Sequence, residues 1–382
     1  PQERGPYNLN ANALLPDGTL SNPQDNWGGI MRKVDQSDFE AANIEYVEFW
    51  LLDPFIYNRD GQGGDLYINL GEVSEEVLKD EKKFFENGMP INDDPQATES
   101  TIWGKVPLRQ GAGYAFDNSP GARTKQDVGF NGLNDDEEKT WPAYVDYLNA
   151  IRSKVGGAVL SQWERDPMSP LSDPAGDNFM HFRNTAFDAA QAPILDRYKY
   201  YNGVQGNSAE ATDNNDPYST ASRSVPDAED INQDNTLNEN EKYFEYKISL
   251  KPADMVVGKN HIVDVRPATV SLANGARETV NWYQFKVPVR GFDRKIGGIA
   301  DFKTVRFMRM YLTGFREATF LRFGTLKLVR GDWRQYDREL HDPSLLPATK
   351  ATMEVSAVNI EENGDRQPIN YVLPPGVLRS ID

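Results

Sequence analysis

The chain has 382 residues, 38% hydrophobic and 11% aromatic, which is enough for packed cores and too long for one typical core. With 58 acids against 41 bases the net charge is −17, which argues against nucleic acid and anionic lipid as partners. Cysteine is absent, so disulfides, thiolate metal sites and cysteine nucleophiles are excluded together. Mean hydropathy is −0.65, and no apolar run approaches the roughly 20 residues a membrane-crossing helix needs. Pro1 opens a polar stretch without a secretory signal, and the missing initial Met reads as a mature or excised piece of something larger.

In chain order, the first strand-like material is NWGGIMRKV from Asn26, then DFEAANIEYVEFWLL from Asp38 and GDLYINLGEV from Gly64. A helical stripe follows over 73–87, formed by Val73, Val77, Leu78, Phe84 and Phe85, with Ser74 as N-cap and Gly88 as stop. A second helix is expected over 141–155, with Trp141, Tyr144, Val145, Leu148, Ile151 and Val155 on one face and Gly156–Gly157 closing it. A short third helix is expected from Pro193 to about Tyr201. Residues 202–241 are rich in Asn, Asp, Ser and Gly, and 210–241 hold Arg223 as their only base.

Alternation at the strand period returns in the second half. In 243–250, Phe244, Tyr246, Ile248 and Leu250 face one way, and Glu245, Lys247 and Ser249 the other. In 282–289, Tyr283, Phe285, Val287 and Val289 oppose Gln284, Lys286 and Pro288. Both read as strands of an antiparallel sheet with one wet face. Segment 303–312 is apolar on both faces apart from Arg306 and Arg309 and reads as a central strand. In 320–330 the phase shifts across Gly324–Thr325, where a bulge would restore the inward set.

The two halves repeat weakly. Asn26–Trp27 matches Asn281–Trp282, Val47 with Phe49 matches Val305 with Phe307, and GDLYINLGEV corresponds to TFLRFGTLKLV. The fold class expected is mainly β, as two jelly-roll-like antiparallel sandwich units with a few connecting helices. The boundaries are 1–125 for the first unit, 126–205 for a helical connector, 206–240 for an acidic loop, 241–340 for the second unit, and 341–382 for an extended C-terminal segment. Val355–Leu373 in that segment either packs on a sandwich or reaches toward missing parts.

Two acid-rich strings have the spacing of calcium loops, where alternating oxygen ligands let the backbone wrap the ion. In DINQDNTLNENE, Asp230, Asn232 and Asp234 hold positions 1, 3 and 5, and Thr236 offers its carbonyl at 7. Asn238 holds 9 and Glu241 the closing carboxylate at 12, with Leu237 as apolar anchor. Asn235 stands where Gly is usual, and Asn is the next best residue at positive φ. In DVGFNGLNDDEE, Asp127, Asn131, Leu133 (by its carbonyl), Asp135 and Glu138 are candidate ligands, and Gly132 falls at position 6. Gly129 leaves position 3 without a side-chain ligand. The bland readings are a solvated acidic loop for the first string and a helix cap at Asn134 and Asp135 for the second.

Enzyme signatures are missing. His181, His261 and His341 are about eighty residues apart, with no nucleophile elbow, phosphate loop or His-rich metal pattern around them. Paired carboxylates for glycoside hydrolysis stay open, because sequence gives no distances. A sugar-stacking platform drawn from the seven tryptophans also stays open, although Trp50 and Trp282 lie in strand-like runs suited to packing.

The strings IEYVEFWLLDPF, GGDLYINLGEVSEE, DVGFNGLNDDEE, AEDINQDNTLNENEKYFEYKISL, FKTVRFMRMYLTGF, LVRGDWRQY and YVLPPGV resemble one family in one order, from residue 5 to about 376. It is the SprA/Sov family, the giant outer-membrane translocon of the Bacteroidetes type IX secretion system, also required for gliding. The resemblance implies a fraction of a very large β-barrel protein that passes folded proteins across the outer membrane. It implies contact with other secretion and motility components, with exported proteins and with the rest of the same protein, on the surface or periplasmic side. Membrane contact would run only through the missing parts. It supplies no catalytic motif. Calcium is the expected structural ion, and a calcium-stabilised carbohydrate-binding sandwich is the alternative.

Overall fold

A computed structural model describes residues 4–111, 113–210, 223–272 and 275–331. Trp333, His341 and the predicted segment 341–382 lie outside the described residues. Among the described residues, eleven strands, all paired antiparallel, carry the fold. They are β1 (Trp27–Lys33), β2 (Ile44–Leu52), β3 (Gly64–Glu72), β4 (Thr98–Ser100), β5 (Lys105–Pro107), β6 (Lys242–Leu250), β7 (Ile262–Ser271), β8 (Arg277–Pro288), β9 (Arg294–Ile296), β10 (Phe307–Thr313) and β11 (Phe323–Arg330). One sheet has the order β1-β10-β3-β6-β9 and the other β11-β2-β8-β7, while β4 and β5 form a separate ribbon.

The alternating strands bury the expected faces of β6 and β8, but Glu245 on the expected wet face of β6 is buried too, paired with Arg294, and Phe323 and Leu326 of β11 stay exposed. In β6, Phe244, Tyr246, Ile248 and Leu250 are all fully buried. In β8 and just beyond it, Phe285, Val287 and Val289 are buried as well. β10, expected as a central strand, lies between β1 and β3. The register of β11 against β2 shifts between Phe323 and Thr325, across Gly324, where the phase change called for it. The inward faces meet in one core that takes Val47, Phe49 and Phe285 from one sheet and Leu66, Ile68 and Phe244 from the other; within it Phe49 stacks on its cross-strand partner Phe285 with centroids 4.8 Å apart, and Phe244 stacks on Phe302 at 3.9 Å. Burial of each such ring stabilises by roughly 1.5–3 kcal/mol.

The mainly-β antiparallel reading holds, but the two expected units share one core. The repeated triplets are β1-β2-β3 and β8-β10-β11. β10 pairs between β1 and β3, and β2 pairs between β8 and β11, so each triplet lends its middle strand to the other sheet. The physical reason is that alternation declares a strand half-buried without naming its neighbour. The matching positions were strand positions; the pairing was not in the pattern.

Residues 73–241 connect β3 to β6. Helix α3 (Pro142–Lys154) matches the second predicted helix and buries Tyr144, Tyr147, Leu148 and Ile151. The third is shorter than expected, as α6 (Ile194–Arg197). The first does not form: 73–87 runs as turns, with a single helical turn only at Glu86–Gly88. Lys79 and Glu81 sit at φ of 53° and 59°, which no helix tolerates. The amides that a helix would bond internally are taken by Glu229, whose carboxylate accepts from Val77, Leu78 and Phe84 at 3.0, 3.4 and 2.9 Å.

Candidate metal centre

The loop 230–241 is wound as a ligand loop should be at its start. Asp230 is buried and accepts the amides of Asp234 and Asn235 at 3.1 and 2.7 Å, and Asn232 Oδ1 accepts Asp234 N at 2.8 Å. Asn235 has φ 68°, the left-handed conformation in which it replaces glycine. The second half departs. Asn238 donates its side-chain amide to the Val73 carbonyl at 2.7 Å, and Glu241 makes a two-pronged pair with Arg309 at 2.9 and 3.0 Å. Thr236 Oγ1 turns back onto Asp234. Glu75 fills the loop's interior, accepting the amides of Asn232 and Asn238, both at 3.1 Å. Lys83 Nζ stands 3.7 Å from Asp230, and Arg306 3.8 Å from Asp234. The loop's acids are thus met by three bases, and the closing carboxylate of Glu241 is engaged by Arg309 and by the Ser74 amide.

The second string splits. Asp127 leaves the others: its Oδ2 accepts Ser208 N at 2.9 Å, and burial pushes its carboxyl up to about 6. The Leu133 side chain is fully buried in an apolar cluster with Tyr7, Leu78 and Tyr144. Asn131 is buried and donates to Glu138 Oε1 at 2.6 Å and toward Tyr144 Oη at 3.0 Å. The cap reading is also met, because Asn134 and Glu137 form a reciprocal capping box on α2 (Asp135–Glu138).

Asp135 and Glu138, three residues apart on one face of that turn, meet Asp173 from the chain 35 residues beyond Glu138. One oxygen of each lies within 4.8 Å of the others, the one such acidic group among the described residues. The segment Asp173–Pro–Ala–Gly–Asp177 folds around these carboxylates. Asp173 accepts the amides of Gly176, Asp177 and Asn178 at 2.7, 3.2 and 3.3 Å, and Glu138 Oε2 accepts Ala175 N at 2.9 Å. Asp135 accepts the side-chain amides of Asn178 at 3.0 Å and Gln205 at 3.4 Å. Burial is the main cause that raises all four carboxyls, Asp135 to about 6, with Asp177 adding repulsion at Glu138 and Asp173 at Asp177. Among the described residues none of the four is in an ion pair; the nearby Arg4 guanidinium donates to the backbone carbonyls of Asp173 and Pro174, both at 2.6 Å. Sequence reasoning missed Asp173 and Asp177. The signal was there as an Asp-Pro-Ala-Gly-Asp turn, whose small residues let backbone amides point inward.

The family described as motility related/secretion protein, SprA_N, matches residues 146–382, more than half of the chain. The chain belongs to that family. No curated protein matches it. The match opens inside α3 and takes in Asp173, Asp177 and every strand from β6 onward, while Asp135, Glu138 and β1 to β3 precede it. Both sheets need those earlier strands, so the structure unites the matched and unmatched parts. Among the described residues, no helix is long and apolar enough to cross a membrane.

Proposed function

We propose that this chain is a non-enzymatic structural and interaction region of the type IX protein-secretion and gliding-motility translocon, on the surface or periplasmic side of the outer membrane. The observation that carries the reading is the family match over residues 146–382. The interleaved sheets support it, because a sandwich whose middle strands are exchanged between sequence halves can transmit load without one half sliding off the other. The grouped carboxylates support a structural role too. Glu138, Asp173 and Asp177 are at most 1% exposed and line no cleft that a sugar chain could enter. Its partners are other secretion and motility components, exported proteins and the remainder of the same large protein.

In a gliding bacterium, in-frame removal of this region from the parent protein tests the proposal. Export of cargo proteins and colony spreading are both expected to stop while the parent protein still reaches the envelope. Normal export and spreading with the region absent would contradict it.

The carbohydrate-binding reading keeps one observation in its favour. Trp27 on β1 is 75% exposed, whereas Trp50 lies under Arg266 at 5.1 Å and Trp282 packs against Gly324. Specific retention on a glycan array that is lost in Trp27→Ala would support it.

A further inference from the structure

A sheet edge presents a row of unpaired amides and carbonyls, and soluble proteins blunt such edges with short strands, prolines or bulges. The two sheets of the sandwich have four edges, β1 and β9 on one and β11 and β7 on the other. Three are blunted. β9 is three residues long, β7 carries Pro267 and a register shift between Ile262 and Asp264, and β11 carries shifts at both ends. β1 is seven residues long, contains no proline and pairs with β10 in unbroken register.

Its outer side is open. Val34 N donates to Arg306 O at 2.7 Å, just past the end of the β1–β10 ladder, so the amides of Arg32, Ile30 and Gly28 face β10 as well. By the same alternation the amides of Gly29, Met31 and Lys33 point away from the sheet, and no described strand pairs on that side. Trp27 is 75% and Ile30 67% exposed, and a Cβ added at Gly28 would meet nothing within 4 Å.

The strand is also polarised. Its first five residues are uncharged, and its last two, Arg32 and Lys33, are exposed bases with no ion pair among the described residues. The Arg32 guanidinium donates to the Lys33 carbonyl at 3.3 Å. Asp25 and Asp35 lie beyond the two ends of the strand, so β1 itself holds no acid. Salt confines the field of exposed charges to about 8–10 Å, which makes these two bases, rather than the net −17, the charge that a neighbour at this end of the edge meets. A second copy of the chain would bring no acid on its own β1 to answer them.

We propose that β1 docks an extended acidic peptide of another polypeptide, added beyond β1 as a new edge strand, with apolar side chains beside Trp27 and Ile30 and acidic ones at Arg32 and Lys33. Main-chain hydrogen bonds at Gly29, Met31 and Lys33 supply the affinity, and the two bases fix which end of the peptide lies where. This surface does not depend on the secretion role.

The test uses the whole 382-residue chain and a fluorescein-labelled peptide as long as β1, Val and Thr over one half and Glu over the other. Fluorescence anisotropy is expected to show saturable binding that salt weakens, and binding at least tenfold weaker when Lys replaces Glu in the peptide. Met31→Pro removes an outward amide and spares the ladder to β10, and it is expected to abolish binding. Arg32→Glu together with Lys33→Glu is expected to transfer binding to the Lys peptide. Hydrogen exchange of the unaltered chain keeps the test decisive even if the variants do not fold. Added acidic peptide is expected to protect the amides of Gly29, Met31 and Lys33 and to leave those of Gly28, Ile30 and Arg32 as they were. No binding at millimolar peptide, equal binding of both peptides, or binding without protection of those three amides would each overturn the proposal. So would protection already present without peptide, whether fixed or rising with chain concentration, because the edge would then be occupied by this chain or a second copy.

Discussion

The sandwich and the segment 73–241 are held together by opposite means. In the sandwich, backbone amides pair across strands, so the inward side chains are free to be apolar, and the core is Phe, Leu, Ile, Val, Tyr and Met. In the connecting segment there is little ladder to pair the amides, and buried carboxylates accept them instead. Glu229 holds three amides, Glu75 at least two, Asp173 three and Asp230 two. A net charge of −17 is therefore partly internal wiring rather than a wet surface. Acid-rich loops are read as solvated by default, and here several of their acids are as buried as the apolar core among the described residues.

Breaking the apolar side is expected to give the largest effect. Phe285→Ala removes a fully buried ring stacked on Phe49, and chemical denaturation should show a loss of about 3–5 kcal/mol. Glu229→Ala attacks the other means: it leaves the amides of Val77, Leu78 and Phe84 without their acceptor and should cost about 2–3 kcal/mol by the same assay.

The same residue sharpens the contrast through pH. Burial raises Glu229 from its ordinary 4.5 to about 7 in the folded chain. The folded state then binds this proton more tightly than the unfolded state. Its contribution to stability is full below about 4.5 and is lost as pH rises through 7. Denaturation midpoints across that window should fall with pH for this group, and Glu229→Gln should flatten the fall. Phe285→Ala should shift the whole curve without changing its slope. The smallest effect is expected at Trp27→Ala, where the ring is 75% exposed on an edge strand, with stability changed by no more than about 0.5 kcal/mol.

Legibility followed the same division. β6, β8 and helix α3 could be read because each is a periodic pattern with one buried face, β10 because it is apolar on both faces, and the register shift at Gly324 because the alternation changes phase there. The exchange of β2 and β10 between sheets could not, since pairing partners leave no mark on an alternating strand. The stripe Val73–Phe85 misled because spacing alone is blind to Glu229, 144 residues beyond Phe85, which takes the helix's amides. At the carboxylate site, Asp135 and Glu138 were visible through loop spacing, while Asp173 and Asp177 arrive from a distant turn. Asp127, Asn238 and Glu241 were placed by the same spacing and are turned by Ser208, Val73 and Arg309 to other work. Residue type was legible; the partner that claims it was not.

Hydrogen exchange of the native chain, read amide by amide, tests most directly that both sequence halves build one core. The interleaved order predicts that the central strands β2, β3, β6, β8 and β10 share a single slowest rate and respond together to denaturant. If β2 and β3 opened as one group and β6, β8 and β10 as another, with separate free energies, the halves would be independent sandwiches and the shared core would be refuted.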